Sequence, residues 1–132
     1  MSASPPSMVD VNDSVRRALS RGHRIDITTV GRRSGKPRRI ELVFHNFGGR
    51  LYLSGRPGPR GWYANLVAHP AFTFHLKGPV TADLPAVARP ITDLAERRDV
   101  LAMVADAWRT DVGILMRGAP LVEVLLDDSA AA

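Results

Sequence analysis

Several short stretches of this chain alternate apolar and polar side chains with a period of two, and glycine and proline separate them. That pattern admits only half-buried antiparallel strands joined by tight connections. Ile25 and Ile27 alternate with Arg24, Asp26 and Thr28, and the strand runs on through Thr29 and Val30. The next, about Arg38–His45, puts Ile40, Leu42 and Phe44 on one face and Arg39, Glu41 and His45 on the other. Asn46-Phe47-Gly48-Gly49 is a hairpin turn, after which Arg50–Ser54 returns with Leu51 and Leu53 inward. Ala71–Leu76 sets Phe72, Phe74 and Leu76 against Thr73 and His75; Val80–Ala88 follows, bulged near Pro85, and Leu121–Leu126 is the last strand.

Helical spacing appears between them. Val11, Val15, Ala18 and Leu19 form one stripe over Asp10–Leu19, with Gly22 placed as its C-cap. Trp62–Ala68 is a short helix that stops before Pro70. Asp93 and Glu96 form a capping-box variant opening a helix to about Trp108, with Leu94, Leu101, Val104 and Trp108 as its apolar stripe. Arg109–Ala119 reads equally as a second helical piece or a crossover loop. The expectation is an α+β fold, a small antiparallel barrel of about six strands with helices packed on it. At 132 residues the chain makes one domain over residues 10–127, with a disordered lead-in over 1–9 and a frayed tail over 128–132.

Charge divides this chain unevenly. The total is +5, yet residues 27–82 carry nine bases and the single acid Glu41, or +8, while the remainder sums to −3. A stretch so one-sided repels itself unless its cations are dispersed or face an anion. Without cysteine there are no disulfides, thiolate metal sites or cysteine nucleophile. The histidines His23, His45, His69 and His75 lack metal-ligand spacing, although His45 and His75 meet if their strands are neighbours. No nucleophile elbow, zinc-protease helix, P-loop or dinucleotide fingerprint is present, and one acid cannot make a carboxylate pair. No apolar run reaches the roughly 18 residues of a membrane span. Met1–Ser7 lacks a secretory hydrophobic stretch, so the expected location is cytoplasmic.

Two segments carry chemistry. Thr28-Thr29-Val30-Gly31-Arg32-Arg33-Ser34-Gly35-Lys36-Pro37-Arg38 is a strand end feeding a basic, glycine-containing turn. Its backbone N–H groups can cup an anion that Arg32, Arg33, Lys36 and Arg38 surround; a basic hairpin turn blunting an edge strand is the alternative. Ser54-Gly55-Arg56-Pro57-Gly58-Pro59-Arg60-Gly61 then leads into Trp62-Tyr63-Ala64-Asn65-Leu66. This loop could close over a planar ligand, with the helix N-terminus and Arg56 drawing its anionic part; alternatively Trp62 and Leu66 are core contacts.

Together these segments resemble the deazaflavin (coenzyme F420)-dependent nitroreductase family of split β-barrel, FMN-binding-like oxidoreductases. The shared residues are Thr28-Thr29-x-Gly31-Arg32-Arg33-Ser34-Gly35-Lys36-Pro37-Arg38, Leu53-Ser54-Gly55 and Trp62-Tyr63-Ala64-Asn65-Leu66-x-Ala68-His69-Pro70, over about residues 25–88. The resemblance implies coenzyme F420, with FMN the alternative, and hydride transfer to a small conjugated acceptor such as a quinone, enone or nitro compound. It implies that Arg32, Arg33, Ser34, Lys36 and Arg38 hold the phosphate and acidic tail. Ser54, Gly55 and Arg56 would line the ring edge, and Trp62 and Asn65 would sit beside it. No residue is assigned a catalytic role, since hydride chemistry belongs to the cofactor. The loop 55–61 is shorter than the family's usual one, and no tyrosine follows Tyr63, so Trp108, Met103, Met116 and the first helix are expected to form the substrate walls. Other readings are a flavin- or deazaflavin-binding protein without turnover and a basic nucleic-acid or anionic-surface binder. Nucleic acid is the less expected partner, since aromatics are not interleaved among the bases. Peripheral membrane contact and either a monomer or a homodimer are compatible with the sequence.

Overall fold

The computed structural model describes residues 8–126; the expectations for residues 1–7 and for the tail lie outside the described residues. The chain runs α1 (Met8–Leu19), β1 (Arg24–Val30), β2 (Pro37–Phe47), β3 (Arg50–Ser54), α2 (Gly61–Ala68), β4 (Ala71–Leu76), β5 (Ala82–Pro90), α3 (Leu94–Trp108), α4 (Val112–Leu115) and β6 (Leu121–Leu126). Helix α1 thus opens at Met8, inside the expected lead-in. All six strands pair antiparallel in the closed order β1-β2-β3-β6-β5-β4, with β4 returning to β1. Closure leaves no free sheet edge, so the basic turn between β1 and β2 is not there to blunt one.

Alternation along the strands separates two apolar layers. Ile25, Ile27, Phe44, Leu53, Phe74 and Leu66 are fully buried inside the barrel, with the Phe44 and Phe74 rings edge-to-face at 5.3 Å. Side chains of this size contribute roughly 1.5–3 kcal/mol each on burial, so the interior sets the register of every strand. The second layer lies outside the barrel, where Tyr52 and Leu121 pack with Ile91, Val100, Leu101, Val104, Ala105, Leu115 and Ala119. Asp93 opens α3 as expected, its side chain accepting from the Glu96 N–H at 2.9 Å.

Several local expectations change. Leu94 is 71% exposed; the buried stripe of α3 is Val100, Leu101, Val104 and Ala105. The ambiguous stretch after α3 holds the one-turn α4. Gly22 does not cap α1 through a positive φ. A Cβ there would stand 2.3 Å from the Phe44 carbonyl oxygen, so glycine is required by close backbone approach. The exposed end of α1 is satisfied instead by the Asn46 side-chain N–H donating to the Leu19 carbonyl at 2.7 Å. Pro85 sits within β5 opposite Thr73, ahead of Ala86 where pairing with β6 begins. The missing N–H therefore falls where β5 has one partner strand rather than two.

His45 and His75 do not meet, because β2 and β4 flank β1 on opposite sides. Burial pushes the His45 imidazole below its ordinary range; it stacks on Phe47 at 5.4 Å and lies 5.3 Å from Trp108. Among the described residues its Nε2 has no hydrogen-bond partner, and no three potential ligands gather as a metal site.

A cationic cleft at the β1–β2 turn

The turn after β1 is tight because its own backbone closes it. The Gly31 N–H donates to the Lys36 carbonyl at 2.8 Å, and the Gly35 N–H donates to the Gly31 carbonyl at 2.9 Å. Gly35 adopts φ +69°, which an L side chain resists, and the Ser34 hydroxyl accepts from the Lys36 N–H at 3.2 Å. The Arg32 N–H is likewise engaged, by the Asn65 side-chain oxygen at 3.0 Å. Four of the N–H groups expected to cup an anion are therefore spent within the turn. What the turn offers a ligand is mainly its side chains.

Asn65 carries the geometry. Its oxygen accepts from both the Arg32 N–H and the Arg32 guanidinium (3.1 Å), while its amide nitrogen donates to the Thr29 hydroxyl at 3.2 Å. Those three bonds fix the amide orientation, since reversing it would set donor against donor. The side chain is buried on α2, so it locks that helix to the turn. Asn65 is thus a positioning residue for Arg32.

Thr29, Gly31, Arg32, Arg33, Ser34, Arg38, Ile40, Gly61, Trp62 and Asn65 line one cleft of about 380 Å³. Arg32, Arg33 and Arg38 have no carboxylate within 4.0 Å among the described residues. The N-terminus of α2 opens into the same space, its N-cap Arg60 making no side-chain cap bond, so helix polarity adds to the positive field. Trp62 serves both readings proposed for it: at 8% exposure it belongs to the barrel core, and one edge borders the cleft. Leu66 is core alone.

Other expected site residues fall elsewhere. Lys36 is exposed and does not line the cleft. The Ser54 hydroxyl is buried and donates to the Pro120 carbonyl at 2.7 Å, and Gly55 packs against Pro120, so both anchor the loop to the start of β6. Arg56 faces a different cavity with Pro57, Trp108, Arg109, Thr110, Ile114 and Leu115, while Met116 borders a third with Gly58, Pro59 and Arg60. Met103 lines none of these. The sequence reading missed Thr29, Ile40 and Gly61. Thr29 is the penultimate residue of β1 and Ile40 lies three residues into β2, so their nearness to the basic turn was an available signal.

A hydroxyl–imidazole–carboxylate chain also occurs: Thr28 Oγ1 lies 2.7 Å from His75 Nε2, and His75 Nδ1 lies 2.7 Å from Asp83, whose carboxyl pKa the imidazole lowers. It occupies the outer barrel face and borders neither the cationic cleft nor the Trp108 cavity, so it serves as a cross-strand tie.

A closed antiparallel barrel with helices packed on it is the fold of the split-barrel F420 reductases and their FMN-binding-like relatives. The chain belongs to the F420H(2)-dependent quinone reductase family, whose model matches residues 8–113. It is therefore an F420-dependent oxidoreductase acting on a small-molecule acceptor. Among solved structures it is similar to an F420 reductase at 17% identity (TM-score 0.64, covering 85% of this chain and 92% of that one). An F420-H2-dependent reductase matches at 20% identity (TM-score 0.56, 76% and 92%). A putative pyridoxamine 5'-phosphate oxidase from Listeria innocua matches at 14% (TM-score 0.62, 89% and 94%). These likenesses establish the fold. No curated protein matches. No helix among the described residues is long and apolar enough to cross a membrane.

Proposed function

We propose that the cleft holds the phosphate and acidic arm of coenzyme F420, and that the protein passes its hydride to a conjugated acceptor such as a quinone, enone or nitro compound. The observation that carries this reading is electrostatic. Three guanidinium groups without carboxylate partners share one cleft with an uncapped helix N-terminus, an arrangement that repels itself without an anion. The residues fit the group: guanidinium forks match phosphate and carboxylate oxygens, and the Ser34 hydroxyl adds a donor. Ile40 and the Trp62 edge give a flat apolar border for the ring. When bound in reduced form, the coenzyme supplies the hydride, and solvent supplies the proton that completes reduction of a quinone. The protein's own part is placement: Asn65 orients Arg32, and the glycine turn holds Arg33 and Ser34 at the rim.

Fluorescence titration with the deazaflavin, using FMN and NADPH as controls, followed by steady-state oxidation of the reduced coenzyme against a quinone panel, tests this reading. Selective deazaflavin binding with quinone-dependent turnover is expected. Binding without turnover on any acceptor would make the protein a carrier, and preference for FMN would overturn the cofactor assignment.

A further inference from the structure

The cavity bordered by Arg56, Pro57, Trp108, Arg109, Thr110, Ile114 and Leu115 has about 580 Å³, more room than the cationic cleft. Its chemistry is specific. Trp108 supplies an indole at one wall, held against the buried His45 ring. Leu115 is fully buried and Ile114 is 47% exposed, so the apolar lining runs from core to open surface. Two guanidinium groups stand at the rim, and neither Arg56 nor Arg109 has a carboxylate within 4.0 Å among the described residues. The nearby Asp111 carboxylate is committed to capping α4, accepting from the Gly113 N–H at 3.0 Å.

Arg109 is held there against its backbone preference. It terminates α3 with φ 54° and ψ 49°, the only non-glycine positive φ among the described residues. The Thr110 N–H donates to the Ala105 carbonyl at 2.9 Å and the Arg109 N–H to the Asp106 carbonyl at 3.3 Å. That pairing is the Schellman ending, in which this position is usually glycine. A bulky arginine here gives up local stability, and it borders the same cavity as Trp108 and Arg56.

We infer that this cavity binds a planar aromatic molecule carrying an anionic substituent, the aromatic body against Trp108 and the acid group between Arg56 and Arg109. Resting on the reductase reading above, quinones and related aromatic compounds that carry an acid group are the acceptors whose chemistry this cavity matches. Arg56 and Pro57 border this cavity and Gly61 borders the cationic cleft, so the two spaces lie at opposite ends of the loop 55–61.

Calorimetry on the protein without coenzyme, using 2-naphthoate against the uncharged 2-naphthamide, reads the site apart from turnover. Naphthoate is expected to bind about tenfold more tightly, the scale of one charge-assisted contact at an exposed rim. That preference should vanish in Arg56→Gln/Arg109→Gln and persist in Arg33→Gln/Arg38→Gln. Arg109→Gly should weaken naphthoate binding while melting at the same or a higher temperature, an outcome that a purely structural role for Arg109 does not produce. With coenzyme present, the KM of a sulfonated naphthoquinone should rise in the Arg56/Arg109 variant relative to that of the parent naphthoquinone. Equal affinity for acid and amide, a preference surviving the Arg56/Arg109 change, or one lost instead in the Arg33/Arg38 variant would overturn the inference. A protein that binds naphthoate here but fails to bind the deazaflavin would overturn the reductase reading and with it the acceptor role, while the aromatic-acid site would stand.

Discussion

Cations of the barrel's outer faces and those of the β1–β2 turn come largely from one stretch of chain and end in opposite electrical states. On the outer face of β1, β2 and the end of β4, Arg39 and Lys77 both reach Asp26 (2.9 and 2.7 Å), and Lys77 with Arg24 also holds Glu41. Around β3, β5 and β6, Glu123 takes Arg50 at 2.8 Å and Arg89 at 2.9 Å, and Arg89 reaches on to Glu96. Each carboxyl in these groups is pushed below its ordinary pKa, by Lys77 first for Asp26 and Glu41, by Arg50 for Glu123 and by Arg89 for Glu96. At the turn, Arg32, Arg33 and Arg38 crowd one cleft without such partners. Three unneutralised guanidinium groups sharing one cleft support the proposed seat for an external anion there.

That contrast breaks most visibly in coenzyme affinity. Replacing Arg33 and Arg38 together by Gln should weaken coenzyme F420 by roughly 3 kcal/mol, about a hundredfold, and leave the melting temperature almost unchanged. Fluorescence titration beside a thermal melt checks both halves, and a stability loss instead of an affinity loss would erase the distinction between the two regions.

Glu123→Gln should do the reverse, lowering stability by about 2 kcal/mol in urea unfolding with little change in coenzyme affinity; the exposed arginines keep the figure below that of a fully buried pair. The sign of its pH dependence follows from its lowered pKa. Its contribution is complete above the ordinary value of 4.5 and is lost as pH falls through the lower folded value, so the variant's stability should decline less steeply in acid.

Asn65→Ala should lower stability by about 1.5 kcal/mol, because it strands the Thr29 hydroxyl and Arg32 N–H at a buried junction, and should also raise the coenzyme's dissociation constant severalfold. An effect on only one of the two would separate the tie from the site. Asp26→Asn, on the solvated outer face, should barely move the melting temperature at moderate salt.

Much of the barrel was legible in the chain because period-two alternation forces one face inward, and Ile25, Ile27, Phe44, Leu53 and Phe74 all went where that rule sends them. The strand order that closes it was not, since the β3–β6 and β1–β4 pairings join strands far apart in sequence. The face of α3 was misread at Leu94, where a leucine one position inside the cap lies beyond the reach of the outer layer. At the site, charge and glycine located the turn. The use of the turn's N–H groups and the separate placement of Arg56 depend on packing that no local pattern encodes.

The most direct measurement compares the complete coenzyme with its bare deazaflavin chromophore, the same ring without phosphate or acidic arm, by fluorescence titration into the wild-type protein and the Arg33/Arg38 double variant at low and moderate salt. The complete coenzyme should bind wild type about a hundredfold more tightly than the chromophore, with the gap shrinking as salt rises and nearly closing in the variant. Equal affinities for the two in the wild-type protein, or a gap indifferent to those arginines, would contradict the claim that the unpaired cations exist to hold the anionic arm.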